Sequence, residues 1–377
     1  MISKEEIRKK ALELGFEDIG FTTAEPFTSQ QEILEERKET YGFLIKIMDL
    51  EQGIDPRTGF PGAQSIIVLL ENYFAESFPS HMEAHFGRCY QDDDRVTKGE
   101  LYRRIKEFRG FLREHNIQSK VPGNIPHRLS AARAGVGSFG KNNFLYANRS
   151  NAGSSWVLPI PITVDETFAP DESTMEVTCP VWCKNTCIVS CPTRALSSPR
   201  KLNPLKCISF LTYLAREITP LEMRENMGTW IYGCDRCQNV CPRNDAWKTR
   251  VLFPNQRVAA KAEDFEITKL LHMDRDYYES RIWPHMFYVS PDNLWLWKMN
   301  TARAMGNTLN RDYVPELIRA FGENDDERVK GMIAWSLGHL GGEEAVHALK
   351  RFLKESRPPV QEEIEIALEI INAQGDL

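Results

Sequence analysis

Eight of the nine cysteines in this 377-residue chain fall between Cys179 and Cys241. Cys89 stands apart. The first group runs Cys179, Cys183, Cys187, Cys191, each gap holding three residues, and Pro192 follows at once. The second group is Cys207, then Cys234, Cys237 and Cys241, with Pro242 next. A disulfide framework belongs to small secreted domains in an oxidising compartment, and this chain is large. Ligation of metal fits the pattern better. Zinc prefers paired Cys-x2-Cys knuckles, and only Cys234 and Cys237 make one. Eight thiolates are the number that two four-iron clusters need, and zinc leaves the doubled Cys-Pro ending unexplained.

The ending Cys-x3-Cys-Pro is the signature of bacterial ferredoxins, in which the cysteine before proline ligates the other cluster. Crossed in that way, Cys179, Cys183, Cys187 and Cys241 hold one cluster, and Cys191, Cys207, Cys234 and Cys237 hold the second. Proline after the crossing cysteine forecloses a helix there. The usual first group has two residues in its early gaps, so the three-residue gaps here imply a widened loop. Two adjacent clusters make an electron wire without naming its acceptor. No Cys-x-x-Cys-His is present for covalent haem. The segment Gly135–Lys141 is glycine-rich, yet it lacks the Gly-x4-Gly-Lys-Ser/Thr of a nucleotide P-loop. A backbone cradle for a phosphate or a large cofactor and a tight turn before a strand both remain open for it.

The elements that must position these groups follow from composition and periodicity. Apolar residues at 42% and charged residues at 27% describe a globular chain with a core, and exclude a disordered or collagen-like one. The length suggests two or three domains. The longest apolar stretches, 65–70 and 156–164, are far shorter than the ~20 residues of a membrane span, and the N-terminus reads as an amphipathic helix and not a signal peptide. The expected compartment is the cytoplasm. Residues 4–14 have helical periodicity ended by Gly15, and a short strand follows from Asp18. A second helix is expected over 30–48. The run Ser65–Phe74 reads as a strand buried on both faces. A charged helix fits 99–115, and 144–147 and 156–158 read as further strands. The stretch 171–250 is loop-rich, with one helix near 204–216.

From about residue 298 the chain is helical and repeats itself. Ala302, Gly306, Val314, Leu317 and Phe321 recur as Ala334, Gly338, Val346, Leu349 and Leu353, always 32 residues on. That period marks stacked helix pairs. Fewer than three repeats are present, so the array is expected to lean on the preceding domain, closed by a helix over 360–373.

Several ordered segments together resemble one family, the epoxyqueuosine reductases. The resemblance rests on Leu14–Phe21 (LGFEDIGF), Pro61–Val68 (PGAQSIIV), Arg133–Asn142 (RAGVGSFGKN), Lys206–Thr212 (KCISFLT) and, most specifically, Tyr232–Pro242 (YGCDRCQNVCP). It implies three parts. Residues 1–170 form an α/β domain binding base-off cobalamin. Residues 171–250 form a ferredoxin-like domain with two [4Fe-4S] clusters. Residues 251–377 form a linker and HEAT-like helical repeats. Electrons then pass through the clusters to cobalt, supplied by an external donor such as ferredoxin or flavodoxin, with no membrane involved. The cofactor-side residues it implies are Gly135, Gly137, Gly140, Lys141, Asn142, Ser209 and Thr212. No Asp-x-His-x-x-Gly motif is present, so no lower histidine ligand is expected.

Two departures stand out. The family's proton-donating acid falls where this chain has His127, which makes His127 the candidate catalytic residue; an imidazole donates protons near neutral pH, and an ordinary loop histidine is the alternative. The segment from Gly87 keeps Gly-Arg and then departs from the family pattern, placing Cys89 near the expected pocket, as a cobalt-side thiol or, more simply, a buried apolar side chain. From Glu323 to Leu377 there are 12 acids and 6 bases, a poor surface for tRNA phosphates. The resulting expectation is a cobalamin- and [4Fe-4S]-dependent reductase with weak activity on epoxyqueuosine in tRNA and a smaller substrate. A reductive dehalogenase-like enzyme is the alternative within this chemistry. A non-catalytic electron-transfer protein that reduces a corrinoid on a partner is the alternative outside it.

Overall fold

The computed structural model describes residues 2–94, 96–150 and 153–375. Its N-terminal part contains helix α1 (Lys4–Glu13) and strands β1 (Asp18–Thr23) and β2 (Ser65–Asn72). Helix α2 (Glu100–Glu114), strand β3 (Ser119–Lys120) and helix α3 (His127–Arg133) follow. The hairpin β4 (Gly137–Phe139) and β5 (Leu145–Ala147) leads into β6 (Val157–Val164). Strands β1, β2, β6 and β3 form one antiparallel sheet in that order.

The apolar run in β2 is explained by its two faces. Ile67 and Leu69 enter a core with Ile7, Phe108 and Leu112 of α1 and α2. Ile66, Val68 and Leu70 enter a second core with Leu129 and Ala131 of α3. A strand sandwiched between two layers has no polar face to show, whichever way its neighbours run. Strand β6 is longer than its sequence suggests, because Pro159 and Pro161 lie within it. Only Val164 and Thr163 pair with β3, so the prolines sit on an otherwise free edge, where a missing N–H costs no ladder bond. The helix expected over 30–48 is two helices, Thr28–Glu36 and Lys38–Ile47, because Arg37 departs from helical geometry (φ −102°, ψ 1°).

The cysteine-bearing part has little regular structure: helices α4 (Thr186–Val189), α5 (Ile208–Leu214) and α6 (Arg236–Asn239), and a two-stranded ribbon at Leu196–Ser198 and Lys201–Leu202. Its own buried apolar cluster is small, centred on Ile208, Met227 and Trp230. The helix expected at 204–216 is a 3-10 turn at Pro204–Lys206 followed by α5.

The C-terminal repeat is α7 (Leu294–Asn307), α8 (Val314–Glu323), α9 (Glu327–Leu340), α10 (Glu343–Glu355) and α11 (Val360–Gly375). The recurring glycines mark where inner helices meet. A Cβ on Gly306 would lie 2.9 Å from the Ser336 Cβ of α9, and one on Gly338 would lie 2.7 Å from the Ala367 Cα of α11. The array does lean on what precedes it. Its core is continuous with Phe86, Ile231, Tyr232 and Trp247, and Trp297 stacks on Tyr232 at 5.0 Å. Among the described residues no helix is long and apolar enough to cross a membrane.

A buried ion pair ties the last helix to the cysteine-bearing part. The Arg224 guanidinium, 2% exposed, is held by both carboxylate oxygens of Glu363 at 2.6 and 2.7 Å. Removing one partner of such a pair strands the other charge, at a cost of about 3–5 kcal/mol. Glu363→Ala is therefore expected to lower the apparent melting temperature and to strip hydrogen-exchange protection from α11 first. Unchanged protection in that helix would show the pair to be dispensable.

Candidate metal centre

The chain brings the eight clustered cysteines together in the two crossed sets. The Cys187 thiol is pushed up to about 11, by burial first and then by Cys241, Cys179 and Cys183. Burial also raises Cys234, with Cys207 and Cys191 adding to the effect, and it raises Cys237, with Cys234 and Cys207 as neighbours. Cys187 also acts on Cys237, so the two sets adjoin. All eight thiols are free of disulfides. Among the described residues no three His, Cys, Asp or Glu side chains converge closely enough to hold a single ion; the thiols stand in two wider groups. Thiols that repel one another when ionised are suited to iron, which neutralises them all at once.

Donors are already aimed at the sulfurs. The backbone N–H of Lys141 donates to Cys179 Sγ at 3.3 Å, and the Tyr146 hydroxyl donates to Cys241 Sγ at 3.0 Å. Backbone N–H groups of Ser209 and Phe210 reach Cys207, and that of Arg236 reaches Cys234. Such bonds stabilise the thiolate form and tune a cluster's potential. Asn142 links the sets: its amide donates to the Tyr146 hydroxyl at 3.0 Å and to the Cys237 carbonyl at 3.3 Å.

A cleft of about 250 Å³ opens beside the second set. Cys191, Cys207, Cys234 and Cys237 form one wall, and Cys89, Tyr90, Arg128, Asn142, Asn143, Phe144, Ser209, Tyr213 and Asp235 are among the rest of its lining. Three hydroxyls cluster there. Tyr90 lies 3.3 Å from Ser209 Oγ, and Tyr213 also bonds to Ser209 and Tyr90. Burial lifts both phenols above their ordinary range, so they stay protonated. The Cys89 thiol is likewise raised, chiefly by burial, and is a neutral part of the wall. Among the described residues no histidine lines the cleft.

Of the cofactor-side candidates, Asn142 and Ser209 reach this cleft and the others are used elsewhere. At Gly137 the space of a Cβ is taken by Leu145, at Gly140 by Tyr146, and at Gly135 (φ +71°) by the Glu172 carbonyl. These glycines let the chain pack on itself. The Lys141 ammonium lies 3.4 Å from the Cys183 carbonyl, beside the first set. Thr212 is buried, its hydroxyl joining the Ser209 carbonyl and the Gly233 N–H. His127 opens α3 with its ring toward the Pro122 carbonyl at 3.4 Å, and it is Arg128, not His127, that lines the cleft. Tyr90, Tyr213 and Arg128 were not singled out by sequence reasoning; tyrosine at position 90, beside the noted Gly-Arg and Cys89, was the available signal.

Comparison with known proteins agrees with this geometry. Residues 179–244 match the 4Fe-4S double cluster binding domain, and residues 292–369 match HEAT repeats. The epoxyqueuosine reductase of Bacillus subtilis is 29% identical across 99% of this chain and 97% of its own length. That of Staphylococcus aureus is 26% identical across 96% of this chain and 95% of its own. A solved structure of the B. subtilis enzyme, with its catalytic aspartate loop swung out of the active site, superposes with a TM-score of 0.82 over 98% of both chains at 26% identity. A structure of epoxyqueuosine reductase with an epoxyqueuosine-modified tRNA-Tyr stem loop gives a TM-score of 0.81 at 26% identity over 98% of both chains. The chain is a divergent homologue of the epoxyqueuosine reductases. Its double-cluster domain makes it similar to an iron–sulfur oxidoreductase.

The crossed sets predict which variants fail together. Anaerobic reconstitution of the native chain should give about eight irons and eight sulfides. Cys241→Ser should damage the cluster on Cys179, Cys183 and Cys187, and Cys191→Ser the one on Cys207, Cys234 and Cys237. Each should leave about four irons and one set of electron paramagnetic resonance signals. Zinc uptake of about two ions without iron would overturn the assignment.

Proposed function

We propose that the protein is a cobalamin-dependent iron–sulfur reductase that removes the epoxide oxygen of epoxyqueuosine in tRNA. The observation that carries this is the cleft. Thiols of the second set form one wall, a mixture of apolar side chains, hydroxyls, amides and charged groups forms the rest, and homologues of that activity match the chain almost end to end. The reaction balances as epoxide plus two electrons and two protons to alkene plus water. When bound, a corrinoid would supply a low-valent cobalt, a strong nucleophile toward carbon.

The lining suits such a group. Asn142, Asn143, Ser209 and Tyr90 offer amides and hydroxyls to polar substituents of a large ring, and Phe144, Ile208 and Tyr213 offer it apolar surface. Arg128 and Arg236 on the cleft are placed to meet nucleic-acid phosphates. That role moves RNA contact from the acidic C-terminal helices to the cleft, where the reacting base must enter in any case. Eight thiolates would hold the two clusters that carry the electrons. A protein handling reduced clusters fits the cytoplasm.

His127 is the proton donor in this reading. Its ring lies off the cleft, one residue from Arg128 on it, so the segment 122–127 must swing inward. A relative with its catalytic loop swung out of the active site supports such a movement. A second reading, a smaller substrate, is favoured by the same histidine standing in place of an acid.

The assay is epoxyqueuosine-containing tRNA with dithionite and the cluster- and cobalamin-loaded protein. Conversion to queuosine at two electrons per product is expected, with a base-off cobalt spectrum. General-acid catalysis contributes about 10²–10⁴-fold, so His127→Ala should lower kcat by that order and His127→Asp should recover much of it. A fully loaded native protein that leaves the tRNA unchanged would transfer the conclusion to the smaller substrate. Full activity in His127→Ala would remove His127 from the mechanism.

A further inference from the structure

We infer that the surface around the first cysteine set is the docking site of a small, acidic, one-electron carrier protein. The inference rests on the iron–sulfur reductase reading above and gives its external electron donor a docking surface.

The loops that carry the first set turn their sulfurs inward and large apolar side chains outward. Val181 and Trp182 fill the widened gap between Cys179 and Cys183; Val181 is fully exposed and Trp182 is 69% exposed. Val189, between Cys187 and Cys191, is 80% exposed. Scattered exposed apolar residues are ordinary. Here three of them flank thiols of the first set, Val181 and Trp182 before Cys183 and Val189 at the end of α4 after Cys187, and apolar exposure beside one site marks an interaction surface.

The chain that carries them is basic, with the exposed Glu176 just ahead of it. From Val177 to Arg216 the chain has six bases and no acid over forty residues, within a protein of net charge −6. Lys184 follows Cys183 directly and is exposed. The Lys141 ammonium sits at the Cys183 carbonyl, and Arg243 donates to Thr178 Oγ1 at 2.9 Å, next to Cys179. Apolar tips ringed by cations fit a partner with an apolar centre and an acidic rim. Transient redox complexes are small interfaces of this kind, assembled quickly by electrostatic steering.

Position argues for an electron carrier over RNA. Substrate must reach the cleft at the second set, so a donor entering there would be blocked whenever substrate is bound. The first set is the free end of the wire. Aliphatic tips such as Val181 and Val189 suit a protein face, whereas nucleic-acid bases stack on aromatic planes. Each encounter oxidises the carrier by one electron and reduces the first cluster by one, and two encounters supply one turnover.

The test uses cluster-loaded full-length protein and flavodoxin hydroquinone, whose reoxidation is followed by stopped-flow absorbance. The native rate should fall as salt screens the rim. Lys184→Glu, Trp182→Ser and Val189→Asp should each lower the second-order rate at least tenfold, with native iron content and native reduction by dithionite. Equal flavodoxin rates in all three variants would overturn the proposal. So would losses of the same size with dithionite, which would place the defect in the cluster. Weakened retention of a tRNA stem loop with an unchanged flavodoxin rate would reassign the surface to nucleic acid. A native protein that holds both clusters but oxidises neither flavodoxin hydroquinone nor reduced ferredoxin would end the docking proposal alone, leaving dithionite-driven activity on tRNA as the separate check on the function. A protein that takes up no clusters would end both.

Discussion

Eight thiols held in two adjoining groups are the constraint on which the rest of this structure depends. As thiolates they repel one another, and burial raises the cost of ionising them. Iron removes both penalties at once. The segments that carry them have little else to hold them, only short helices, a two-stranded ribbon and a small apolar cluster around Ile208, Met227 and Trp230. The middle of the chain therefore takes its shape from what it ligates, and the parts on either side must present rigid walls to it. The N-terminal sheet does so by burying β2 on both faces. The helical repeats do so by sharing one core with Tyr232 and Phe86.

The crossed pairing also decides how the two sets are spaced. Cys241 leaves the second motif to join Cys187, Cys179 and Cys183, and Cys191 leaves the first to join Cys207 and Cys234. Each Cys-Pro step thus ties one set to the loop of the other. Asn142 and Tyr146 reinforce the tie from the N-terminal part, one side chain bonding the Cys237 carbonyl and the other the Cys241 sulfur. Moving one set therefore strains the other.

What was legible in the sequence was whatever has a period or a spacing. The thiol sets, the doubly buried strand, α2 and the 32-residue repeat were all readable because local pattern and tertiary packing agree there. The lining of the cleft was not. Tyr90, Ser209 and Tyr213 come from segments up to 123 residues apart, and no spacing announces that their hydroxyls meet. The glycines of 135–140 left a backbone cradle and a tight turn both open for a related reason. A glycine shows that something comes close to the backbone, and here that is the chain's own Leu145, Tyr146 and Glu172. The prolines of β6 hid a strand because sequence alone does not show which edge of a sheet is free.

One ion pair shows how the parts act as a unit. Arg88 follows Gly87 in the N-terminal part, and its backbone N–H and guanidinium both bind Asp235 Oδ2, at 2.9 and 3.1 Å. Asp235 stands between Cys234 and Cys237, and it is buried. Arg88 is itself fixed over the rings of Phe74 and Trp156. The next two residues, Cys89 and Tyr90, line the cleft. Tyr90 packs edge-on against Tyr232 at 5.0 Å, and Tyr232 stacks on Trp297 of the first repeat helix. All three parts of the chain thus meet within a few side chains of the second thiol set. The cleft wall formed by Cys89 and Tyr90 is thus held by the loop that carries Cys234 and Cys237, and the cleft and the second thiol set share one rigid frame.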